Sequence, residues 1–110
     1  MDSSLPPVIE TYQHAQDRRD TPTALNTFSA DATVIDEGVA YRGTERIERW
    51  LTDGASEYTF TRTLTGVEDL GEGVHVVSNH LSGDFPGGEV DLRYRFQLDG
   101  DRIQRLEIAP

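Results

Sequence analysis

The sequence contains no lysine and no cysteine. Without a lysine amine there is no Schiff-base chemistry, and a Walker-type phosphate loop lacks its cation. Without cysteine there is no disulfide framework, no thiolate nucleophile and no cysteine-bound zinc. The redox compartment stays open for the same reason. Positive charge is scarce: 10 basic residues, all arginine, face 20 acidic ones, giving a net charge of −10 and a pI near 4.5. Affinity for nucleic acid comes mainly from cations on phosphate, so no nucleic-acid partner is expected. Long apolar runs are missing too, and nothing approaches the ~20 residues of a membrane span. Residues 1–7 lack the basic and apolar regions of a signal peptide. The expectation is a cytoplasmic protein with no membrane partner.

What is present fits one domain over residues 1–110. A chain of this length buries roughly 65% of its unfolded surface. Apolar residues make up only 35%, which points to oligomerisation or to an enclosed cavity. Leu5, Val8, Ile9, Tyr12 and Ala15 recur at helical spacing, so a helix is predicted over 7–19, with Gln13, Gln16 and Asp17 on its polar side. Thr21-Pro22 then reads as the N-cap and first residue of a short helix carrying Ala24, Leu25 and Phe28. Residues 32–37 are β-prone, and residues 38–43 read as a turn. Thr44 caps a third helix over 45–53, with Ile47, Trp50 and Leu51 on one face.

From residue 55 onward the pattern is that of antiparallel strands, over 58–65, 74–81, 90–98 and 102–108. Val90, Leu92, Tyr94, Phe96 and Leu98 alternate with Asp91, Arg93, Arg95 and Gln97, the signature of a strand with one buried face. Asp99-Gly100 marks a hairpin. Helices followed by strands indicate an α+β fold with the helices on one face of the sheet.

Four local motifs occur in order: Tyr12 in the first helix, Phe28-Ser29-Ala30-Asp31-Ala32, Gly43-Thr44-Glu45-Arg46-Ile47, and Asp99-Gly100-Asp101-Arg102-Ile103. On these the chain resembles the nuclear transport factor 2-like superfamily, in its SnoaL-like group, over nearly its whole length. The resemblance implies a cystatin-like α+β architecture. Three N-terminal helices pack on a strongly curved, mostly antiparallel sheet that forms a cone with an internal pocket. It also implies a homodimer through the outer sheet face. The superfamily holds isomerases, cyclases, dehydratases and non-catalytic binders, so fold alone does not decide function.

Asp36 is the sharpest candidate for chemistry. It shares strand parity with Val34, so it faces the pocket if Val34 faces the core; otherwise it is an exposed carboxylate before a turn. In an apolar cavity a carboxylate is desolvated and can serve as general base. Residues 32–36 resemble the ketosteroid isomerase segment that ends in its catalytic aspartate, and Tyr12 stands where that family keeps its oxyanion tyrosine. Tyr12 is then a phenolic donor, or a core tyrosine. The isomerases' second acid would fall on the strand over 90–98, where the inward position is Leu92.

Trp50, Phe60, Leu92, Tyr94 and Phe96 read as pocket walls or as plain core. Together they suit an apolar small-molecule ligand. His75 and His80 have opposite parity, so no shared metal is expected, and no cofactor is implied. His80, with the parity of Val74 and Val76, is a candidate third catalytic group beside Asp36 and Tyr12. Arg62 either faces inward, where it needs an anion, or the row of Thr59, Thr61, Thr63 and Thr65 does. Two functions compete. One is a cofactor-free isomerase, cyclase or dehydratase using Asp36 as general acid/base on an apolar or carbonyl-bearing substrate. The other is a non-catalytic ligand-binding or scaffolding homodimer.

Overall fold

The computed structural model describes residues 5–54 and 59–110. The chain forms α1 (Pro7–Asp17), α2 (Thr21–Asn26), β1 (Phe28–Asp36), β2 (Val39–Arg42) and α3 (Thr44–Arg49). A π-helical turn (Trp50–Gly54) follows, then β3 (Phe60–Gly71), β4 (Val74–Gly83), β5 (Glu89–Asp99) and β6 (Arg102–Ala109). The expected strand start at Tyr58 lies outside the described residues.

Proline at the first turn suits α1, because that backbone position needs no donor. The second helix is capped one residue earlier than the sequence suggests. Asp20, not Thr21, is the N-cap; its carboxylate accepts from the Thr23 backbone N–H at 3.3 Å and from the Thr23 hydroxyl at 2.7 Å. Phe28 belongs to β1 rather than to that helix. The segment read as a turn over 38–43 contains β2. Glu37 and Gly38 both sit at positive φ, 53° and 80°, the geometry of a two-residue type I′ hairpin. A glutamate at the first left-handed position, in place of the usual asparagine or glycine, hides this hairpin from the sequence pattern. Gly43, not Thr44, stands at the N-cap of α3.

The described strands make one six-stranded sheet in the order β2-β1-β6-β5-β4-β3. All neighbours are antiparallel except β1 and β6, which run parallel, so the sheet is mixed. It is not closed: β2 and β3 are its edges. Register slips occur between Leu64 and Gly66, between Asp69 and Gly71, and between Gln97 and Leu98. Such bulges bend a strand and increase its twist.

The core fills the space between one sheet face and the helices. Ile9, Tyr12 and Ala15 of α1, Ile47 of α3 and Trp50 and Leu51 of the π-turn meet Val34, Val77, Phe96 and Leu106. Tyr12 lies at the centre, with its ring edge-on to Phe28 at 5.6 Å and to Phe96 at 5.8 Å. Edge-to-face pairs of this kind add to the burial energy. Phe96→Ala is expected to cost about 3–5 kcal/mol, read as a lower urea midpoint at unchanged slope.

The opposite face carries alternate residues of the same strands. Val76 is buried there, with Glu68 and Arg95 as its register partners. His80 is on this face as well. Its Nδ1 lies 2.7 Å from Asp91 and its Nε2 2.9 Å from Glu89. These two hydrogen bonds, Asp91 first, hold the imidazole above its ordinary 6.5. A group whose value is raised on folding stabilises the protein fully below 6.5, and loses that contribution as pH rises through the folded value. The melting-temperature gap between wild type and His80→Gln should therefore shrink as pH rises from 6 toward 9. A gap independent of pH would show that the bracket contributes nothing.

Candidate functional site

Polar side chains gather at one end of the helix-facing side. Register places them. Asp36 pairs with Ile108, Ile108 with Tyr94, and Tyr94 with Val77, so Asp36 and Tyr94 share one transverse row. Asn79, two residues further along β4, opposes Leu92 on β5 and Leu64 on β3. Above the row runs α1. Tyr12 and Gln16 are one helical turn apart, and so are Gln13 and Asp17; side chains at this spacing are neighbours on a helix.

Asp36 is half-buried at the end of β1. Its Oδ2 accepts a hydrogen bond from Trp50 Nε1 at 3.0 Å. Trp50 reaches it from the π-helical turn, where the helix widens directly after α3. Tyr41, on β2, lies against the same indole at 6.3 Å. The carboxylate is thus anchored through one oxygen, beside aromatic rings.

Two phenols share this field. Tyr12 is 1% exposed, and burial pushes its hydroxyl well above the usual phenol range. Tyr94 and Asp36 push it further, while a side-chain hydrogen bond with Gln16 and the Arg62 charge act the other way. Tyr94 is pushed up to about 12, mainly by burial; Arg62 opposes the shift, and Asp36 and Asp17 add to it. Both phenols therefore stay protonated near neutral pH and can only donate to, not take protons from, a bound molecule. Phe96 stacks on Tyr94 at 6.4 Å.

The orientation of Arg62 is settled: it turns inward. Its Nε and Nη2 hold the two oxygens of Asp17 at 2.9 and 2.7 Å, and its Nη1 donates to Asn79 Oδ1 at 3.0 Å. Gln13 Nε2 donates to the same oxygen at 3.3 Å. Asn79 Nδ2 has no partner among the described residues, although the side chain is wholly buried.

Several expectations need correction. His80 is on the outer face, between Asp91 and Glu89, because its parity is opposite to that of buried Asn79. It is separated from Asp36 and Tyr12 by the sheet itself. Gln13, expected on the polar side of α1, is 2% exposed and bonded to Asn79. Phe60 is not a sealed wall: it is 37% exposed and meets Phe85 edge-on at 6.4 Å. Leu92 is half-buried against the core beside Asn79. Trp50, Tyr94 and Phe96 are buried in the core cluster. Asn79 stands in no recognisable motif, and the parity it shares with Val77 and Leu81 is the one sequence signal that marks it as inward.

Two surface hollows, of about 440 and 360 Å³, lie elsewhere. One is lined by Thr33, Leu98 and Arg105, the other by α1, α2 and Asp101, and neither touches the Asp36 row. Among the described residues no group of three or more histidine, aspartate or glutamate side chains is placed to hold a metal. No helix among them is long and apolar enough to cross a membrane.

No protein-family model matches the chain, and no curated protein does. Solved structures do. A Sinorhizobium meliloti protein that carries the provisional name polyketide cyclase is 33% identical, over 96% of this chain and 95% of that one, with a TM-score of 0.88. A Catenulispora acidiphila protein of ketosteroid isomerase-like fold, in complex with trimethylamine, is 18% identical over 97% and 87%, with a TM-score of 0.83. A Mycobacterium tuberculosis protein in complex with estradiol-17beta-hemisuccinate is 14% identical over 94% and 90%, with a TM-score of 0.78. The last two share the fold. With the first sharing a third of its residues over almost the whole length, the chain belongs to the nuclear transport factor 2-like superfamily, in its SnoaL-like group.

Proposed function

We propose that the helix-facing side of the sheet forms a cone whose interior takes up a small, largely apolar molecule bearing a carbonyl, and that Asp36 moves a proton on it. The observation that carries this reading is one row holding a carboxylate and a phenol, Asp36 and Tyr94, beneath the buried phenol of Tyr12. Apolar walls with a few convergent polar groups are the usual make-up of a small-molecule site. Two fold relatives that hold small molecules, trimethylamine in one and a steroid ester in the other, support it.

The chemistry follows from the protonation states. Trp50 occupies Oδ2 of Asp36, which leaves Oδ1 to accept a proton from a carbon next to the carbonyl. The carbonyl oxygen gains negative charge as that C–H bond breaks. Tyr12 or Tyr94, each held protonated, donates a hydrogen bond to it. The proton held by Asp36 then has three destinations: return to a different carbon is an isomerisation, delivery to a departing β-hydroxyl, which leaves as water, is a dehydration, and delivery to the alkoxide formed when the enolate carbon attacks a second carbonyl of the same molecule is a cyclisation. No step requires a cofactor. His80 takes no part in this chemistry, since the sheet stands between it and this row.

The competing reading is a binder without chemistry. It is favoured by Leu92 at the inner β5 position where the isomerases keep a second acid; Asp91 points outward to His80. Deuterium uptake at the α-carbon of 2-tetralone, followed by proton NMR, separates the two. The wild type should accelerate uptake, and Asp36→Asn should lose about 10²-fold or more of that acceleration while the probe still raises the melting temperature. Equal uptake in both proteins overturns the catalytic reading and leaves the binder.

We place a homodimer contact on the outer sheet face, the side of Val76 and His80. The low apolar content of the chain supports it. Light scattering at micromolar concentration should give twice the 12.3 kDa chain mass. A mass of one chain would refute it.

A further inference from the structure

Two buried side chains carry a nitrogen without a hydrogen-bond partner among the described residues, His75 and Asn79, and the amide of Asn79 is the one that is wholly buried. An asparagine amide can be placed either way round, and only its partners decide which end is oxygen. Here one partner is Arg62, whose guanidinium carries donors and no acceptor. The atom 3.0 Å from Arg62 Nη1 must therefore be Oδ1. Gln13 Nε2 donates to the same atom at 3.3 Å. The other end of the amide is then the NH₂ group, and it has no acceptor among the described residues.

Nor can Asn79 turn to relieve this. Arg62 is clamped by both oxygens of Asp17, at 2.9 and 2.7 Å, and Asp17 is fixed at the end of α1. Turning the amide over would set an N–H against an N–H. A buried donor without a partner costs on the order of 1–3 kcal/mol, and native structures keep few of them. By register Asn79 opposes Leu92 and is the diagonal neighbour of Tyr94 on β5, so the unpaired donor lies next to the Asp36–Tyr94 row.

We propose that Asn79 is a specificity-determining residue whose Nδ2 binds an oxygen acceptor on the molecule taken up by the interior, with Arg62 and Asp17 as the positioning pair. The ligand class narrows accordingly. It presents a carbonyl, ether or carboxylate oxygen toward β4. A pure hydrocarbon of the same shape leaves the donor unpaired and binds more weakly. The proposal rests on the small-molecule reading above, and it names what that reading left open, the group that selects the ligand's oxygen.

The test uses 2-tetralone and tetralin, which differ only by a carbonyl in place of a methylene. NMR titration of the wild type should give about tenfold tighter binding of 2-tetralone, the size of one net hydrogen bond. Asn79→Asp keeps an acceptor for Gln13 and Arg62 but removes the donor. It should bring the ratio to about one or below while tetralin still binds. Asn79→Leu, which removes both ends of the amide, should also abolish the preference. In the wild type itself the Asn79 side-chain NH₂ resonances should shift with 2-tetralone and stay put with tetralin, a readout that does not depend on any variant folding. An unchanged ratio in Asn79→Asp, or equal NH₂ shifts with both probes, overturns the role of Asn79 and leaves the small-molecule site standing. If neither probe binds, both readings fall together.

Discussion

Arg62 brings five donors and no acceptor to the edge of the interior, and most of the polar order there follows from that restriction. Each oxygen it meets is committed. Asp17 gives both of its oxygens, which ties the last turn of α1 to β3. Asn79 gives its carbonyl end, which fixes the amide and turns its donors away from the guanidinium. Gln13 completes the link by donating to the same oxygen. A buried cation without such partners would be strongly destabilising. With them it joins helix to sheet at the end of the interior where Asp36 also lies. Because Arg62 also acts on both phenols, it offsets part of the rise that burial imposes on them.

The broad plan was legible because its signals are periodic. The apolar spacing of α1 and the alternation over 90–98 require only a helix and a half-buried strand, and the order of elements does the rest. What escaped the pattern was polar and inward. Gln13 looks like a solvent-side residue on composition alone, and only a partner on β4 explains its burial. Asn79 follows the alternation of Val77 and Leu81, yet polarity disguises it. The β1–β2 hairpin was missed because Glu37 occupies a left-handed position that usually goes to other residues. Arg62 could not be oriented from sequence, since its parity suited either face until Asp17 was found within reach.

His80 shows the opposite failure. Its chemistry was right for a site, but a strand gives each residue one side only, and the burial of Asn79 sends its neighbour outward. The sheet thus separates two kinds of polar chemistry. On the helix side a guanidinium with its carboxylate partner, two carboxamides, phenols and the Asp36 carboxylate are held by fixed partners away from bulk water, where dipoles act strongly. On the other side, carboxylates and an imidazole meet solvent, where charge is screened.

The β-bulges of β3 carry a consequence for how the molecule avoids its own kind. This strand is a free edge, long and mostly exposed, with Phe60, Leu64 and Leu70 uncovered along it. A straight strand of that composition would be a template for edge-to-edge stacking and fibril growth. The slips around Gly66 and Gly71 break the ladder at two places, so a flat partner strand cannot stay in step along its length. Glu68 and Asp69 add like charge between the two breaks. The same irregularities that twist the strand also keep neighbouring molecules from zipping onto its rim.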